Sequence, residues 1–128
     1  MRHLVGAMTA ASVFGPAVAD PSLECSVQFS SQVEIGQCLI DAETHSEAAL
    51  DIAMDIAREN AADLDEVTRR DVALPALEAS HTAWLAFREA ECDYAGALSG
   101  GGSGTGITIR SCRIEKTRTR ITDLMGRL

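Results

Sequence analysis

Apolar and polar positions along this chain recur mostly with the period of an α-helix and almost nowhere with that of a strand. Ser31-Gln32-Val33-Glu34 reads as a capping box, in which the serine hydroxyl accepts from the backbone at Glu34 while the glutamate reaches back. From there to about residue 60 only Gly36 interrupts the pattern. Leu50, Ala53, Met54, Ala57, Ala61 and Leu64 recur at helical spacing, which predicts one long amphipathic helix. Residues 63–71 are polar and read as a connection or a frayed end. Pro75 suits the first turn of a second helix, where the amide hydrogen it lacks would have no partner. Leu77, His81, Trp84, Phe87 or Arg88, and Cys92 follow one face, so that helix is expected over about residues 74–98. Five glycines in residues 99–106 predict a flexible loop. Ile107-Thr108-Ile109 alone has strand character. A last helix is expected over roughly residues 108–125, with Ile114, Ile121, Leu124 and Leu128 as its apolar edge. Arg110, Arg113, Lys116, Arg118 and Arg120 make the rest of it basic. The expected fold is all-α, a small domain of three helices, or four if the long one breaks.

The first 19 residues follow a different logic. Met1-Arg2-His3 is a short positive start, residues 4–19 carry no charge, and Ala17-Val18-Ala19 is a small-x-small site. That order is the layout of a secretory signal peptide. Its apolar stretch is shorter than the roughly 20 residues a membrane span needs. The expectation is therefore cleavage near Asp20, one domain over residues 20–128, and no stable membrane anchor. Cys25, Cys38, Cys92 and Cys112 all lie beyond the cleavage site. An even cysteine count in a small exported domain is a disulfide signature. Of the three pairings that four cysteines permit, Cys25 with Cys38 and Cys92 with Cys112 is the expected one, because each joins neighbours across one connection.

Charge is uneven along the chain. Residues 20–66 hold 12 acidic side chains against Arg58 alone, whereas residues 67–128 hold nine basic and seven acidic ones. Glu43, Glu47, Asp51, Asp55 and Glu59 stand four apart, on one helical face. Like charges at that spacing oppose an isolated helix by a few tenths of a kcal/mol per pair. Packing or a cationic partner must outweigh them. The formal net charge of −8 disfavours nucleic acid and anionic membrane surfaces as partners.

Catalytic patterns are missing from the sequence. It has no HExxH pair, no P-loop, no GxSxG elbow and no dinucleotide fingerprint. It has no Cys-x-x-Cys pair, and the histidine spacings do not suggest a metal site. His81 reads as a structural histidine near Trp84. Trp84, Phe87 and Tyr94 read as the hub of an otherwise aliphatic core. The residues point to no cofactor, no metal and no catalytic group, and the reading is a binding protein.

Specific stretches resemble a known family. Trp84-Leu85-Ala86-Phe87-Arg88-Glu89-Ala90-Glu91-Cys92 is similar to the W-x-x-Y-R-D-x-x-C motif of the lysozyme-inhibitor LprI-like family. Gly101-Gly102-Ser103 resembles its Gly-Gly-Ser loop. Cys112, Thr117, Arg120 and Leu124 resemble its closing C-x4-T-x2-R-x3-L, and Ser31-Gln32-Val33-Glu34-Ile35 followed by Cys38 resembles T-Q-x-E-M-x-x-C. Phe87 and Glu89 stand where the family has Tyr and Asp. Leu50-Asp51-Ile52-Ala53-Met54 replaces the family's Leu-Asn-x-x-Tyr, so no role of that tyrosine carries over.

The resemblance implies a helical, disulfide-containing envelope protein, periplasmic or secreted, and for some members inhibition of lysozyme. Many lysozymes are basic with an acidic catalytic cleft. The acidic stripe would then steer association, the loop carrying Ser103 would enter the cleft, and Arg88 or Arg110 would meet its carboxylates. Arg88 has an internal reading as well, stacked and paired beside Trp84. The alternative function is a structural or interaction module of the envelope with no lysozyme partner.

Overall fold

The computed structural model describes residues 20–127 as four α-helices: α1 (Pro21–Gln28), α2 (Gln32–Thr68), α3 (Ala73–Ala97) and α4 (Thr105–Met125). The expected signal peptide, residues 1–19, lies outside the described residues, as does Leu128. No described helix is long and apolar enough to cross a membrane.

The fourth helix does not come from a break in the long one. It precedes it. Asp20 caps α1 by accepting from the Ser22 amide at 2.8 Å, and Pro21 occupies the first turn. Ser111 of α4 donates to the same carboxylate at 2.9 Å, which fixes this short helix to the bundle. The hydrogen bonds from Ser22 and Ser111 hold the Asp20 carboxyl below its ordinary value, against the opposing effect of burial.

Half of the capping box at the start of α2 forms: Ser31 Oγ accepts from the Glu34 amide at 3.2 Å, while the Glu34 carboxylate accepts from the Ser31 hydroxyl at 2.7 Å and not from the Ser31 amide. The helix then continues for 37 residues, through much of the stretch expected to be a connection. It ends at Arg69, whose left-handed backbone (φ 52°) stops it. Asp65, in its last turn, caps the next helix. Its two carboxylate oxygens accept from the amides of Val72, Ala73 and Leu74 at 3.1, 2.8 and 2.9 Å. Those amides are the ones a helix start leaves without partners. The same three bonds hold the Asp65 carboxyl below its ordinary value. Residues 98–104 form the glycine turn, with φ of +66° at Gly100 and +78° at Gly101. Helix α4 begins at Thr105, so Ile107-Thr108-Ile109 is helical and not a strand.

The core is divided in two. Cys25, Leu39 and Ile114 form one buried cluster, bordered by Ile35, Ala42 and Ile107. Leu50, Ala53, Met54, Ala57 and Leu124 form the other, bordered by Leu77, Trp84 and Ile121. Fully burying a side chain the size of Leu39 or Ile114 contributes about 1.5–3 kcal/mol. Between the clusters, along α2 and α4, stand the buried polar residues Ser46 and Thr117. Phe87 and Tyr94 do not form the core hub expected of them. They are 52% and 61% exposed, and only Trp84 of that trio packs on the core.

Both disulfides join the expected partners. Cys25–Cys38 ties α1 to α2 with a Cα separation of 5.9 Å, and Cys92–Cys112 ties α3 to α4 at 5.5 Å. These separations match ordinary disulfide geometry.

Candidate functional site

Trp84 sits half-buried on α3 among cations. The Arg88 guanidinium lies 5.0 Å from its ring centroid and that of Arg120 lies 5.8 Å away. His81, one turn earlier, stacks on the same ring at 5.9 Å. Burial pushes the His81 imidazole below its ordinary value, and the charges of Arg120, Arg58 and Arg88 add to that shift while Glu78 opposes it.

Arg88 is 8% exposed and fully engaged inside the domain. It pairs with Glu47 of α2, donates to Thr117 Oγ1 of α4 at 2.8 Å, and meets Glu89 at 3.2 Å. Thr117 in turn donates to Glu47 at 3.4 Å. Glu89 pairs with Arg113 at 2.5 Å, Arg113 reaches Glu43 at 3.8 Å, and Glu43 pairs with Arg110. An alternating chain of arginine and glutamate thus crosses α2, α3 and α4. It lines a cleft of about 570 Å³ that also includes Thr44 and Asp51.

This arrangement divides the acidic stripe. Glu43 and Glu47 are partly buried and neutralised by α3 and α4, while Asp51, Asp55 and Glu59 remain exposed. Of the latter, Asp55 meets Arg58 at 3.2 Å, and Arg58 reaches across to Glu78 of α3 at 2.6 Å. Arg110 is occupied by Glu43, and the burial of Arg88 keeps it from an outside carboxylate.

The remaining motif residues separate by position. Phe87 is exposed, with the Lys116 ammonium 5.7 Å from its ring. Gly102 lies in the turn, where its carbonyl accepts from the Thr105 amide at 3.1 Å and from its hydroxyl at 2.8 Å; Ser103 is exposed beside it. Arg120 is buried and donates to Ser80 Oγ at 3.2 Å. Arg113, Ser80 and Gly96 were not singled out from sequence. Gly96 left only a weak signal, a glycine inside a helical pattern; it is buried, and a Cβ there would lie 2.5 Å from Ile109 Cγ1. Among the described residues, no group of three or more His, Cys, Asp or Glu side chains is placed to hold a metal ion.

The tryptophan-to-cysteine motif and the closing motif therefore meet around Trp84, whose ring faces Arg88 and Arg120 while Arg88 donates to Thr117. The chain matches the family described as lysozyme inhibitor LprI over residues 24–124. It belongs to that family. Among curated proteins and solved structures nothing matches it significantly. The LprI match begins within α1 and ends at Leu124, near the end of α4, so it takes in both disulfides and every motif residue described above.

Proposed function

We propose that this chain is an exported binding protein, periplasmic or secreted, that inhibits a lysozyme by occupying it and not by reacting with it. The observation that carries the reading is membership of the LprI family across nearly all of the four-helix domain. Two features of the structure support it. Both disulfides suit an oxidising compartment. Arg88, Glu47 and Thr117 at the centre of the bundle are spent on one another, which makes that part of the bundle a scaffold for its own surface.

The surface offered to a basic lysozyme is the exposed run Asp51, Asp55 and Glu59 on α2, on a chain of net charge −8. The turn holding Gly102 and Ser103 is the further candidate contact. Such charges act mainly on the rate of encounter, and at 0.15 M salt their reach falls to about 8 Å.

The test is lysis of cell walls by c-, g- and i-type lysozymes with the disulfide-intact protein added at about micromolar concentration. Slowed lysis with at least one class, weakening as salt rises, is expected. Replacing Asp51, Asp55 and Glu59 together by their amides should slow association several-fold while leaving the fold intact. Undiminished lysis by all three classes would refute inhibition and favour an envelope interaction module. Export is checked separately: N-terminal sequencing of protein recovered from outside the cytoplasm should begin at or near Asp20.

A further inference from the structure

At the C-terminal end of α2, the start of α3 and the end of α4 enclose a second cleft, of about 550 Å³. Its walls are mostly apolar, with Ala57, Leu64, Leu77 and Leu124 among them, and Asn60 and Ser80 add neutral polar groups. Arg120 lines it and is 8% exposed. Every other arginine of α3 and α4 up to that point has a carboxylate: Arg88 has Glu47, Arg110 and Arg113 have Glu43, and Arg118 has Glu24. Arg120 has none within ion-pair distance among the described residues. Its one hydrogen bond goes to the Ser80 hydroxyl, and its Nε is buried without any partner. A charge taken out of water in this way is unfavourable unless something pairs with it. Burial accordingly pushes the Arg120 guanidinium below its ordinary value; Arg127 adds to that shift and Asp123 opposes it. Arg127 lines the same cleft, so the second cation there is a like charge and not a counter-ion.

We propose that this cleft binds a single-chain amphiphile with a carboxylate head, the head against Arg120 and Arg127 and the chain along the apolar walls. Charge selects the head: a guanidinium presents a planar fork that matches a carboxylate with two parallel hydrogen bonds. Ser80 accepts from Arg120 and keeps its own hydroxyl hydrogen to offer. The walls select the chain, because a bare ion would leave them wet and an uncharged hydrocarbon would leave Arg120 unpaired. The cleft also lies within the size range, roughly 300–1,000 Å³, of small-molecule sites. This site is independent of lysozyme inhibition. It uses none of the exposed acidic residues assigned to that role.

Trp84 is the only tryptophan, and its ring centroid lies 5.8 Å from the Arg120 guanidinium, so its fluorescence reports on the head-group site. The disulfide-intact protein is titrated with sodium decanoate, decanol and sodium acetate, each below any micelle-forming concentration. Saturable binding of decanoate is expected, at least about tenfold tighter than decanol or acetate, together with a raised thermal midpoint. Arg120→Met should weaken decanoate binding at least about tenfold, and Arg127→Ala several-fold. A measurement on the unaltered protein covers the case in which Arg120→Met does not fold: the Arg120 Nε–H resonance should move with decanoate and not with decanol. Equal binding of decanol, an unmoved Arg120 resonance, or no saturation by about 1 mM decanoate would each overturn the assignment.

Discussion

Arg88 lies against the Trp84 ring, hydrogen-bonded to Thr117 and paired with Glu47, with 9% of its side chain exposed. Arg88→Met keeps much of the volume but leaves Glu47 and Thr117 facing a thioether. Removing one partner of a buried pair costs about 3–5 kcal/mol. Glu47 is 39% exposed and recovers part of that from water, so a loss of about 2 kcal/mol is expected. Urea unfolding measures it, and Glu47→Gln in the same background should restore part of the loss. His81 supplies a pH signature. Its imidazole is held below the ordinary value of 6.5, so the unfolded chain takes up a proton that the folded one resists. That contribution is present above pH 6.5 and is lost as pH falls through the lowered folded value. The urea midpoint should therefore decline between about pH 7 and 5, and His81→Gln should flatten that decline. Asp20, Asp65 and Glu78 are also held below their ordinary values, but their contributions disappear only in stronger acid. A wild-type midpoint unchanged across the near-neutral window would remove this role from His81.

At the scale of elements, α3 and α4 pack tightly where Gly96 faces the Ile109 side chain. A Cβ at Gly96 would lie 2.5 Å from Ile109 Cγ1 and 2.7 Å from its Cδ1. Alanine favours a helix over glycine by about 1 kcal/mol, and forcing extra volume into a packed site costs about 1–3 kcal/mol. Gly96→Ala should therefore destabilise the wild type by roughly 1 kcal/mol, yet stabilise an Ile109→Ala variant, in which the clash is gone. A change of the same sign in both backgrounds would show that Ile109 is not what requires the glycine. Element starts were legible where side chain and backbone capping lie close in sequence, as at Ser31 and Glu34. Helix α1 went unread, because its eight residues carry too little periodicity to show by pattern; the signal that could have found it is Asp20 as cap with Pro21 in the first turn. The end of α2 was not legible. The polar character of residues 63–71 reads as a connection, and the helix persists because Asp65, turned toward α3, is useful there.

For the whole molecule, the two disulfides bind the outer helices to the central pair across sequence separations of 13 and 20 residues. Loops of that size contribute about 3 kcal/mol each when closed. Replacing Cys92 and Cys112 together by alanine should cost about that much in urea unfolding, and reduction of both bridges should leave the domain marginal or unfolded. Full stability after reduction would mean that the two core clusters suffice alone. The amino-acid sequence by itself determined the helical class, the order of the long helices and the family, because these depend on periodicity, capping and spacing along the chain; of three possible cysteine pairings it favoured the one the bundle forms. Which charges face water was decided only by tertiary structure. Five acidic residues share one face of α2, but the arginines that neutralise Glu43 and Glu47 come from α3 and α4, more than 40 residues away in sequence. The same packing leaves Arg120 without a carboxylate. Helical spacing shows which side chains share a face; only the assembled bundle shows what that face meets.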